Sequence, residues 1–141
     1  MEIFKDIDGH VFEWVISKLN NGEEYSNDLT LGIKLDNILI CGIVFSVSAH
    51  ITYLSIYATN PAWCNRTNLT KIFGLPFDAF GSKAVKCLTS HKNRKINKLL
   101  WGLGLKEEGH LRYARADGSH QKVFSITQDE LKKKEWYERN S

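Results

Sequence analysis

The run from Asn93 to Arg112 narrows the choice of folds more than any other part of the chain. Asn93 is suited to cap a helix, because its side-chain oxygen can take one of the orphan N–H groups of the first turn. Behind it Ile96, Leu99, Leu100 and Leu103 fall at i, i+3, i+4 and i+7, one face of a 3.6-residue period. Gly104 follows as a stop, since glycine reaches the left-handed C′ conformation at no steric cost. Leu105 then opens a strand that carries Glu107, Glu108 and Gly109 and, further on, Arg112. Read from its residues alone, the run is an αβ unit with a good cap and a good stop.

The rest of the sequence extends that pattern. Asp8 is placed to cap a helix from about Gly9 to Asn20, with Val11, Trp14, Val15 and Leu19 facing the core and Asn20-Asn21-Gly22 ending it. Three strand-like runs follow, Leu29–Leu35, Ile38–Val47 and Ile51–Thr59. Asp36-Asn37 reads as a tight hairpin turn and Ser48-Ala49-His50 as a slightly longer one. Pro61 makes Asn60–Arg66 a loop. A helical segment from about Thr67 to Phe73 is expected to break at Gly74 and Pro76 before Phe77–Phe80. A strand at Ala84–Thr89 leads to the Asn93 helix. Strands Lys106–Arg115 and Lys122–Thr127 flank an Asp117-Gly118 turn, and Asp129–Tyr137 closes the chain as a short helix. The order is α, three antiparallel strands, α, β, α, β, β, with Glu2–Phe4 left open as an earlier strand.

The length of 141 residues suits one domain, and 43% hydrophobic with 25% charged residues suits a soluble globular one. No apolar run approaches the roughly 20 residues of a membrane span. Glu2, Asp6 and Asp8 are unlike the basic start of a signal peptide. The three cysteines, Cys41, Cys64 and Cys87, are scattered, so reduced thiols in a cytoplasmic protein are expected. His91 follows Cys87 closely, but no second ligand pair accompanies them, and no metal site is expected. The net charge of +3 is unevenly spread. No acidic residue falls between Asp78 and Glu107, whereas Lys83, Lys86, Lys92, Arg94, Lys95, Lys98 and Lys106 all do. Such a patch is either a solvated face or an attractor of phosphates, whether those of coenzyme A or of a nucleic-acid backbone.

The Asn93–Arg112 run, with its asparagine, its glycine stop, Glu108-Gly109 and Arg112, resembles a segment of the GNAT acetyltransferase superfamily; Leu105 stands where phenylalanine is usual. The resemblance extends from Asp8 to Trp136. It is nearest to small GNAT-like proteins of tailed phages, similar in turn to the Mom DNA-modification protein. It rests there on Tyr57-Ala58-Thr59-Asn60-Pro61-Ala62-Trp63-Cys64-Asn65-Arg66, then Ile72-Phe73, Pro76-Phe77, Gly81 and Cys87-Leu88-Thr89-Ser90. It implies one GNAT-fold domain over residues 1–141. That fold is α/β (α+β), a mixed central sheet with antiparallel N-terminal strands and a parallel, splayed pair, flanked by helices.

The same resemblance implies acetyl-CoA as acetyl donor and an amine as acceptor, with DNA as a further partner. Pantetheine amides would pair with the backbone around Ile56, Tyr57 and Ala58, much as an added strand does. The pyrophosphate would sit on the helix start at Arg66, Thr67 and Asn68, where free N–H groups and the dipole favour anions. The glycine-rich loop usual at that point is absent. Asn93 matches the family asparagine near the pantetheine arm. Neither usual acid/base group is present: Tyr53 stands where a glutamate is common, no Asp or Glu occurs along 38–60, and Leu100 replaces the usual tyrosine. The remaining catalytic candidates are Tyr53, Ser90 and Asp117, with His50 and a water held by Ser55 or Ser90 as other sources of a base. Trp63, Arg112 and Tyr113 are the substrate candidates, and Arg112 has an ion pair with Glu108 as its structural alternative. Three readings follow: an acyltransferase acting on a small amine or a modified DNA base, a Mom-like enzyme modifying DNA adenine, and a binding module that kept the fold without the chemistry.

Overall fold

A computed structural model describes residues 1–19 and 26–138 of the chain. Its first residues resolve the point that the sequence left open: Glu2–Lys5 is strand β1, antiparallel to β2 (Leu29–Leu35). Helix α1 (His10–Leu19) lies between them. Two aspartates supply its N-terminal contacts, since Asp8 accepts the N–H of His10 at 3.1 Å and Asp6 that of Phe12 at 3.0 Å. Val11 and Val15 are buried, while Trp14 and Leu19 are half-buried. The helix end expected at Asn20-Asn21-Gly22 lies outside the described residues.

β2, β3 (Ile38–Ser48) and β4 (Ile51–Ala58) form an antiparallel meander. Asp36 and Asn37 both take positive φ, 51° and 65°, as a two-residue type I′ turn requires. The second hairpin is tighter than expected. Ser48 pairs directly with Ile51, so Ala49-His50 alone makes the turn, with Ala49 at φ 52°.

A 3₁₀ turn at Pro61–Trp63 leads into α2 (Arg66–Phe80), which is one unbroken helix rather than the two pieces expected. Gly74 and Pro76 do not break it because its buried face outweighs their propensity. Leu69, Ile72, Phe73 and Phe77 all pack into the core, and Gly74 faces the ring of Tyr137. Pro76 lies one turn from the end, where its carbonyl accepts the N–H of the left-handed cap Gly81.

Strand β5 (Ala84–Ser90), helix α3 (Arg94–Gly102), strands β6 (Lys106–Leu111) and β7 (Gln121–Thr127) and helix α4 (Gln128–Lys132) complete the fold. Gly104 does take the left-handed conformation expected of it, φ 86°. β6 ends at Leu111, shorter than the strand to Arg115 read from the sequence, and α4 is likewise short. A capping box between Thr127 and Glu130 starts α4.

The sheet order is β1-β2-β3-β4-β5-β7-β6, with β4 and β5 the one parallel pair. This is the mixed sheet expected from the sequence. Helices α2, α3 and α4 cover one face over a core that includes Ile43, Phe45, Phe73, Leu100 and Phe124. α1 covers the other, with Val11 and Val15 against Val44.

Candidate active site

Parallel pairing of β4 with β5 runs from Ile51–Leu54 against Ala84–Cys87 and stops there. Neither strand frays beyond that point. Ser55–Ala58 stay paired with β3 on their outer edge, and Leu88–Ser90 stay paired with β7 on theirs. The two strands therefore diverge as rigid ribbons, and the backbone groups along the inner edge of β4 face a gap. Alternate residues of a strand turn their N–H and C=O to each side, so this gap offers a ready-made ladder.

The gap opens into a cavity of about 220 Å³. Leu54, Ser55 and Ile56 form one wall, and Cys87 to Ser90 the opposite one. α3 closes it with Asn93, Ile96 and Leu100, the end of α1 reaches it with Lys18 and Leu19, and the β6–β7 loop contributes Arg115 and Asp117. The Cys87 thiol in this wall is pushed up to about 12 by burial, so it stays protonated near neutrality and is no thiolate nucleophile.

α3 is locked to the rim by a residue absent from the sequence-derived candidates. Asn97 is 2% exposed. Its side chain donates to the Ser90 carbonyl at 3.1 Å and accepts the Thr89 hydroxyl. The signal was present in the sequence, since Asn97 sits three residues before Leu100 on the apolar face, where an amide needs a partner. Asn93 accepts the Ile96 N–H at 3.4 Å and remains exposed at the cavity.

Two catalytic candidates meet through a third residue. Ser90 donates its hydroxyl to Ser119 Oγ at 2.9 Å, and Ser119 donates its own to Asp117 Oδ1 at 2.6 Å. The Ser119 N–H reaches the same carboxylate oxygen at 2.9 Å. These two bonds from Ser119 lead in holding the Asp117 carboxyl below the usual range, aided by Lys92 and Arg115. Tyr53, the third candidate, is half-buried and is not part of the cavity wall; Thr52, its neighbour, turns to the other face and meets Ser82 at 2.7 Å.

Beside this network, the rings of His91, His110 and His120 stand together. His120 lies 4.6 Å from His91 and 5.5 Å from His110, between ring centroids. They do not converge as metal ligands would, and among the described residues there is no such group. His91 Nδ1 accepts the His120 N–H, and His120 Nδ1 accepts the Tyr113 N–H, each at 2.9 Å.

The remaining candidates are dispersed. Of the cofactor candidates on β4, Ile56 lines the cavity; Tyr57 turns to the α1 face, where its ring meets Trp14 edge-on at 5.1 Å, and Ala58 ends the strand. Asn65 caps α2 by accepting the Asn68 N–H at 2.9 Å. Asn68 is buried, its amide donating to the Trp63 carbonyl at 3.1 Å. Thr67 is exposed, and Arg66 pairs with Glu135 at 3.5 Å on the surface. Trp63 packs in the core at 4% exposure instead of facing a cleft. Arg112 and Tyr113 lie past the end of β6, in the loop rather than on the strand to which they were assigned. Tyr113 is 74% exposed with a positive φ of 57°. Glu108, the alternative partner of Arg112, pairs with Lys86.

No family model matches the chain, and no curated protein matches it in sequence. Solved structures do. A mutant form of the spermidine N-acetyltransferase SpeG from Vibrio cholerae superimposes with a TM-score of 0.71 at 15% identity, over 91% of this chain and 94% of that one. A dodecameric structure of the Vibrio cholerae spermidine N-acetyltransferase gives 0.68 at 16% identity, over 91% and 94%. An acetyltransferase of the GNAT family from Bacillus anthracis gives 0.59 at 17%, over 72% and 67%. The chain thus has the fold of the GNAT acetyltransferases. At these identities the likeness is one of fold, and the site has to be argued from its own residues.

Proposed function

We propose that this protein is an N-acetyltransferase that transfers the acetyl group of acetyl-CoA, its donor substrate, to an amine. The observation that carries this reading is the gap between β4 and β5, an unpaired strand edge leading into a cavity at the start of α3. A chain with amides spaced along it, such as pantetheine, suits that edge as an added strand would. Ile56, Tyr57 and Ala58 would offer backbone to it, and Asn93 an exposed amide at the same mouth. The first N–H groups of α2, at Arg66 and Thr67, have no intrahelical partner and suit a pyrophosphate even without a glycine-rich loop. The Asn68 side chain, already spent on Trp63, contributes at most its place in that first turn. Bound acetyl-CoA supplies the activated thioester. The protein holds it beside the acceptor, and proximity alone provides a large part of such a rate enhancement.

The test is a thermal-shift titration with acetyl-CoA, with CoA and ADP as controls. Ligand at 100 times its dissociation constant stabilises the folded state by about 2.7 kcal/mol, a readily visible shift. Arg66→Ala and Asn93→Ser are expected to weaken that shift; the serine keeps a cap but removes the amide. No shift at millimolar acetyl-CoA sinks the assignment. Release of CoA thiol in the presence of amines then establishes transfer, and spermidine, the acceptor named for the Vibrio proteins, is the first to try.

One surface feature favours a polyanionic acceptor such as DNA as a second reading. Lys86 and Lys106 of the basic run are taken up by Glu108 and Glu130, yet Lys92, Arg94, Lys95 and Lys98 all stand exposed at the start of α3. Binding to duplex DNA that weakens steeply with salt would support it. Salt-independent or absent binding leaves the small-amine reading.

A further inference from the structure

We propose that Ser90, Ser119 and Asp117 form a proton path out of the acyl-transfer cavity, with Ser119 as its link; the inference rests on the acyltransferase reading above. Ser90 and Asp117 both line the cavity, whereas Ser119 lies behind them at 1% exposure. The hydrogen bonds all point one way. Ser90 gives its proton to Ser119 at 2.9 Å, and Ser119 gives its own to Asp117 at 2.6 Å. The Ser90 oxygen takes the Lys92 N–H at 3.2 Å and keeps its second lone pair for a donor in the cavity. Asp117 is exposed and can pass a proton to water. A buried serine bonded to the carboxylate through both its N–H and its hydroxyl does more than fill space, since it fixes the acceptor oxygen and the relay together.

Few other sources of a base remain. No Asp or Glu occurs along 38–60, Leu100 is fully buried, the Cys87 thiol is neutral, and Tyr53 is not part of the cavity wall. His50 lies in the β3–β4 turn and is not part of the cavity wall, so a water held by Ser55, which does line the cavity, is the one rival source of a base among the candidates. The balanced step is as follows. A neutral amine nitrogen bonds to the acetyl carbon while the C–S bond breaks and CoA leaves as thiolate. The proton shed by nitrogen goes to Ser90 Oγ, the Ser90 proton to Ser119 Oγ, and the Ser119 proton to Asp117, which releases it to water. Nitrogen becomes far more acidic as the amide forms, so a weakly basic carboxylate suffices.

The experiment measures CoA-thiol release from acetyl-CoA with spermidine, ethanolamine and glycinamide as probe amines. Ser119→Ala should lower kcat by about 10²-fold, the lower range of general acid–base effects. KM for acetyl-CoA and its thermal shift should stay as in the wild type. Asp117→Asn, an exposed change that keeps an acceptor oxygen for Ser119, should lose a similar factor. The double variant should lose no more than either single one, because both cut the same path. A proton inventory in mixed H₂O and D₂O should curve for the wild type and be linear for Ser119→Ala. A kcat for Ser119→Ala that stays at the wild-type value, or losses that multiply in the double variant, overturns the path while leaving the enzyme. A wild type that binds acetyl-CoA but acetylates none of the three amines counts against acyl transfer, and the path falls with it.

Discussion

His120 takes the Tyr113 N–H on Nδ1, so its neutral ring carries its proton on Nε2. A second proton has to enter at Nδ1 and break that bond. Burial, then the neighbouring His91 and His110, then Arg112 and Lys92, push its pKa below the ordinary histidine value. The unfolded chain therefore binds more protons than the folded one in the window just below pH 6.5, and stability falls as pH drops through it. Thermal unfolding between pH 7.5 and about 5 should show that fall. His120→Asn, which keeps an acceptor but does not titrate, should flatten it; an unchanged slope would remove His120 from the cause. Asp117 and Glu130 lie the other way. Both carboxyls are lowered, so what they add is present above their unfolded values and is lost only in more acid solution.

At the scale of elements, the packing of α1 on β3 depends on a missing side chain. A Cβ built on Gly42 would meet Val15 Cγ2 at 2.4 Å and Val11 Cγ1 at 2.9 Å, both on the buried face of the helix. Gly42→Ala therefore has to lift α1 or twist two buried valines, at a cost of about 1–3 kcal/mol. A lowered denaturation midpoint with an unchanged denaturant slope would bear this out, and wild-type stability would show that α1 packs more loosely than drawn. Because α1 also ends at the cavity with Lys18 and Leu19, the same variant is expected to weaken the acetyl-CoA binding proposed above.

Over the whole molecule, the three thiols report how the fold opens. Cys41 and Cys87 are buried in the sheet core and Cys64 is half-buried, each held protonated by burial. A thiol reagent should modify Cys64 first, and the other two only at the rate of global unfolding; early reaction of Cys87 would mean that the β4–β5 gap opens locally. Much of this architecture was legible in the sequence, because it is written in local terms. Periodicity and capping gave α3, turn chemistry gave the Asp36-Asn37 hairpin, and strand-like apolar runs between turn signals gave β2 to β5 within a residue or so. Pro76 and Gly74 misled because propensity is local, while the apolar face that keeps α2 whole is satisfied only by the rest of the core. The candidate site was only partly legible for the same reason. Ser90, Asn93 and Asp117 could be named as types at the ends of elements, but no spacing brings Ser119 between Ser90 and Asp117, or Asn97 under Ser90. Ser90 and Ser119 are 29 positions apart and become neighbours through the pairing of β5 with β7, while Asn97 reaches Ser90 only because α3 folds back on the end of β5. The sequence by itself determined which segments become helices and strands and which polar groups are on offer. A splayed parallel pair was implied by the resemblance, but only the tertiary structure decided that β4 and β5 part after Leu54 and Cys87, because beyond that point each strand stays paired on its far side alone.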